Sequence, residues 1–96
     1  MKAAFDNKKV AESMWRRLQE HFPDADAQVA CFHSAKEKAW IFDFELDLHG
    51  FDEPLVHTGA VKDSPYSHNV AFMRGAIEEM FRQAVHCLLT QSGRRP

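Results

Sequence analysis

The chain has 96 residues, 45% hydrophobic and 27% charged, which is the size and composition of one globular domain. No apolar run nears the roughly 20 residues that a membrane-spanning helix needs, and no stretch is of low complexity. The formal net charge of −2 favours no class of partner.

The charge is unevenly spread. Residues 24–63 hold nine acidic and three basic side chains, whereas residues 1–23 hold five basic and three acidic ones and residues 64–96 four basic and two acidic. An acidic middle between mildly basic ends bears on partner choice rather than on fold. Met1 to Val10 is polar, without a signal-peptide apolar region, so a cytoplasmic protein is expected. Without a secretion signal, Cys31 and Cys87 read as buried reduced thiols rather than a disulfide.

The first element is a helix over about Asn7 to His21. Val10, Met14, Trp15, Leu18 and Phe22 recur at three- and four-residue spacing, and Lys8, Lys9, Glu12, Arg16, Gln19 and Glu20 form the solvated face. Asp6 is the expected N-cap, and Phe5 and Val10 have the spacing of a hydrophobic staple. Phe22-Pro23 ends the helix, because the residue before proline avoids the helical region.

A turn at Pro23–Asp26 leads to a short strand over about Gln28–His33, and Ser34–Lys38 is a polar hairpin loop. The long strand, about Ala39 to His49, is the clearest signal in the chain. Trp40, Phe42, Phe44, Leu46 and Leu48 alternate with Asp43, Glu45, Asp47 and His49, so one face is apolar and the other acidic. Gly50–Pro54 turns the chain into a third strand over about Leu55–Val61. The second helix is expected to start at Ser64 as N-cap, with Pro65 in its first turn, and to run to about Thr90 before Gly93 stops it. Its stripe is Val70, Met73, Ile77, Met80, Phe81, Ala84, Val85 and Leu88. The fold class is therefore α+β in the order α-β-β-β-α. A three-stranded antiparallel meander carries both helices on one face, with residues 1–92 forming one domain and 93–96 a frayed tail.

Several side-chain groups invite a functional reading. Asp43, Glu45 and Asp47 stand on one strand face, about 7 Å apart by strand rise. They suit an acidic recognition surface for a basic partner, or a metal-dependent enzyme if further carboxylates converge on them. His57 lies opposite Asp47 if residues 49 and 55 pair, and a one-residue slip buries it instead. Cys31 and His33 share a strand face but have no visible third group or oxyanion hole. No His or Cys spacing matches a zinc site, and the glycines form no phosphate-cradling loop. Neither a metal nor a cofactor is expected. Phe72 lies nearly opposite the apolar stripe of the second helix, beside Gly75 and Ala76, as a docking anchor would. The first strand is an edge without lysine, proline or bulge. It carries apolar side chains on both faces, Val29 and Cys31 on one and Phe32 on the other, which points to edge pairing with a second copy or a partner through Val29, Cys31, Phe32 and His33.

In element order the chain resembles the double-stranded RNA-binding domain. That family places lysines at the start of its second helix to hold phosphates. Here the same place reads Ser64-Pro65-Tyr66-Ser67-His68-Asn69, with Lys62 before it and Arg74 after it. The resemblance implies an RNA-binding alternative, but the acidic strand face does not suit phosphate and nucleic acid is not expected. The reading that fits best is a non-catalytic protein-interaction module: an inhibitor, antiactivator or adaptor that masks a protein partner. In size and lack of motifs it is similar to small phage-encoded inhibitors. Asp43, Glu45, Asp47, His57 and Phe72 are its expected partner-binding residues. A homodimer is expected through the first-strand edge or the open sheet face.

Overall fold

The computed structural model describes residues 6–93, in the order α1 (Asn7–His21), β1 (Ala25–Ser34), β2 (Ala39–Leu48), β3 (Leu55–Lys62) and α2 (Val70–Gln91). Phe5 of the expected staple and residues 94–96 of the expected tail lie outside the described residues. The strands form one antiparallel sheet in the order β1-β2-β3, so the architecture is α+β, α-β-β-β-α. Among the described residues, no helix is long and apolar enough to cross a membrane.

Asp6 caps α1 as expected, accepting from the backbone N–H groups of Lys8 at 3.0 Å and Lys9 at 3.3 Å. Met14, Leu18 and Phe22 are buried, but Trp15 is exposed beside β1 rather than part of the stripe. Gln19 is not on a solvated face. Its side-chain N–H donates to the carbonyls of Phe22 and Ala25, and its Oε1 accepts from Ala27 N–H at 3.2 Å. One amide thus ties the end of α1 to the start of β1.

α2 begins later than Ser64. Its N-cap is Asn69, whose Oδ1 accepts from Phe72 N–H at 3.0 Å. Ser64 and Pro65 belong to a separate turn. There the Ser64 hydroxyl accepts from Tyr66 N–H at 3.0 Å and Ser67 N–H donates to the Ser64 carbonyl at 3.0 Å. Serine and asparagine are comparable caps, and the serine is used to close the turn that carries the chain from β3 to the helix. At the other end Gly93 adopts φ +76°, and Ser92 N–H closes onto the Leu88 carbonyl at 2.9 Å.

The even-numbered side chains of β2 face the helices. Phe42, Phe44 and Leu46 are fully buried there, against Met14, Leu18 and Phe22 of the α1 arm and Met73, Phe81, Ala84 and Leu88 of α2. α1 packs mainly on β1 and α2 on β3. The helices meet at a clasp in which both guanidinium nitrogens of Arg17 reach the two carboxylate oxygens of Glu78, one at 2.9 Å. The Arg17 guanidinium also lies 4.4 Å above the Phe81 ring. That hydrogen-bonded pair raises the Arg17 pKa and lowers that of Glu78.

The β2–β3 register differs from the pairing of 49 with 55. Leu46 pairs with Leu55, Phe44 with His57, and Asp43 with Thr58. The chain leaves the sheet straight after Leu48, where Phe51 N–H donates to the Leu48 carbonyl at 3.2 Å and Gly50 takes φ +92°. Pro54, just before β3, has no N–H to donate to a ladder. Asp47 and Leu48 therefore pair only with β1, at Asp26 and Ala25.

Candidate functional site

The register sets the rows of the face that the helices leave open. Phe32, Ile41 and Ala60 form one row, and Ala30, Asp43 and Thr58 the next. Gln28, Glu45 and Val56 follow, and then Asp26 beside Asp47. Side chains alternate along each strand, so all of these point away from α1 and α2. The predicted trio Asp43, Glu45 and Asp47 is thus assembled as a column along β2. Asp43 and Glu45 are half-buried between their neighbours, and Asp47 is exposed. The Thr58 hydroxyl donates to Asp43 at 3.0 Å, holding its carboxylate toward β3.

The face is not only acidic. Phe32 is 45% exposed on β1 and Val56 55% exposed on β3, so apolar surface flanks the carboxylates on both sides. Ile41, at 7%, is buried between Phe32 and Ala60 although it lies outside the main core. Ile41 is visible in the sequence as the one large apolar side chain on that face of the long strand. Val56 and Asp26 join the face only through the register. Asp26 directly opposite Asp47 is a like-charge cross-strand pair, an arrangement that costs stability unless a cation is near.

The other predicted partner residues lie elsewhere. His57 is on the helix-covered face against Phe44, ring centroids 6.3 Å apart, and burial lowers its pKa. It cannot pair with Asp47, because the register places it opposite Phe44. Phe72 is 42% exposed, and its ring packs tilted against that of Tyr66 with centroids 5.6 Å apart. His57 and Phe72 line one groove of about 550 Å³ between β3 and α2, floored by Gly59 and Met80.

Of the predicted edge residues, Val29 and Cys31 turn half-buried toward the helices, while Phe32 joins the open face. The β1 edge is less bare than its sequence suggests. Asn7 donates to the Cys31 carbonyl at 3.1 Å, and Gln19 donates to the Ala25 carbonyl and accepts from Ala27 N–H, so α1 covers three backbone groups of β1. The polar residues that do this belong to α1 rather than to a strand, which hides the guard from a strand-by-strand reading. On the opposite edge Gln91 of α2 donates to the Val56 carbonyl at 3.3 Å.

Cys31 and His33 do not form a nucleophilic pair. Burial pushes the Cys31 thiol up to about 12, which keeps it protonated at neutral pH. His33 instead reaches Asp63, with Nε2 2.9 Å from Oδ2, and packs edge-on against Trp40. Both cysteines are free. Among the described residues, no group of three His, Cys, Asp or Glu side chains is placed to hold a metal ion. Comparison with protein families, curated proteins and solved structures found no match.

Proposed function

We propose that this chain is a non-catalytic protein-interaction module that binds and masks a protein partner through the open face of its sheet. The observation that carries the reading is the composition of that face: a column of carboxylates that makes no ion pair among the described residues, between exposed Phe32 and Val56. Apolar anchors beside oriented charge are what a protein interface uses for affinity and for choice of partner. The protonated Cys31 thiol and the linear spacing of the carboxylates support a binding role over a catalytic one. Edge pairing of two copies through β1 would release Asn7 and Gln19 from their backbone partners, so the reading rests on the face rather than the edge.

The test is a photo-crosslinking side chain placed at Val56 and, as control, at Arg82 on the outer face of α2, in cells that produce the protein. A protein adduct at Val56 and none at Arg82 is the expected result. Equal adducts, or none at Val56, would withdraw the proposal. Once a partner is in hand, Asp43→Asn with Asp47→Asn should slow association and flatten its salt dependence without altering the fold.

A further inference from the structure

We infer that the element docking on the open face is a basic amphipathic α-helix of the partner, lying along β2; this rests on the proposed reading of that face. Three neighbouring strands span about 10 Å between their outer axes, the diameter of one helix. The face therefore seats a single helix. The carboxylates of Asp43, Glu45 and Asp47 follow one another at about 7 Å. Lysine or arginine residues four apart on a helix rise by about 6 Å, within the reach of their flexible side chains. Phe32 and Val56 stand on opposite sides of this column, where they meet the apolar flanks of such a helix. Lys62 is the only cation the register places on the face, and it lies beyond Ile41 at the hairpin end, opposite Ala39. Among the described residues of the sheet, the face thus offers its carboxylates to cations that a partner would supply.

A second copy of the chain fits less well. A two-fold axis running along β2 sets each carboxylate against its own counterpart. One running across the middle of β2 sets Asp43 against itself. Both bring like charges together under an interface that has to exclude water. A helix docking on the face also leaves the edge contacts of Asn7, Gln19 and Gln91 intact.

The probe is an 18-residue leucine–lysine peptide patterned as an amphipathic helix. Its control has the same net charge but carries two central prolines and cannot form the helix. The helical peptide should bind at least ten-fold more tightly, and it should shift the amide resonances of the open-face residues of β1, β2 and β3. The triple change Asp43→Asn, Glu45→Gln, Asp47→Asn should lower that affinity at least ten-fold, and Phe32→Ser with Val56→Ser should do the same. Equal binding of the two peptides, or shifts confined to α1 and α2, overturns the inference. The crosslink at Val56 separates the two claims. A protein adduct there without peptide binding removes the helix and leaves the docking face, whereas no adduct removes both.

Discussion

At Gly59 the sheet and α2 come closer than a side chain permits. A Cβ placed there would stand 2.6 Å from Sδ and 2.8 Å from Cγ of Met80, inside any real contact distance. Gly59→Ala should therefore destabilise the protein by about 1–3 kcal/mol, in the lower part of that range because the methionine side chain is flexible. Met80→Ala removes the obstacle, so the double variant should be more stable than the sum of the single losses predicts; urea titration of the four proteins measures the coupling. His57, in the same groove, provides a second handle. Burial holds its folded pKa below the ordinary value of 6.5, so the folded state resists its protonation. Its contribution is fully present above 6.5 and is lost as pH falls from there through the lower folded value. His57→Gln should flatten the fall in thermal midpoint across that window relative to the wild type, and an unchanged slope would assign the pH dependence to other groups.

At the scale of elements, the cap of α2 separates two readings of the same segment. Asn69→Ala should cost about 1 kcal/mol and speed amide exchange in the first turn of α2. Ser64→Ala should loosen only the preceding turn, because its hydroxyl serves Tyr66 N–H rather than the helix. The sequence made helix periodicity and the long strand plain: Met14, Leu18 and Phe22, and the alternation through Phe42, Phe44 and Leu46, are governed by local spacing. The start of α2 was obscured because Ser64-Pro65 carries the same local chemistry as a true cap. The register of β3 was obscured because its apolar residues fall on both parities. Leu55 and Val61 face the helices, while Val56 and Ala60 face away, an arrangement that sets Gly59 under Met80 and that local spacing does not select. The acidic column was legible as a column. Its apolar flanks were not, since Phe32 and Val56 belong to two other strands.

At the scale of the whole molecule, the helices serve as edge guards as well as core. Asn7 and Gln19 cover β1, and Gln91 reaches β3. Removing the first pair as Asn7→Ala with Gln19→Ala frees an edge N–H and two carbonyls. The double variant should show a rising molar mass with concentration by light scattering where the wild type does not. A constant mass in both would mean that Trp15 and the rest of α1 shield the strand sterically.

The spatial order of the sheet also repeats the order of the chain, with each helix resting on the strand beside it in sequence. Nearly every contact can then form between segments that are already neighbours, and little loop entropy is spent before it is recovered. Such a chain belongs with the fast folders for its strand content. The Arg17–Glu78 clasp closes across 61 positions, and it adds little to the speed of collapse because its partners are half-exposed. Assembly should therefore be limited by the two hairpins of β2 rather than by the meeting of the chain's ends.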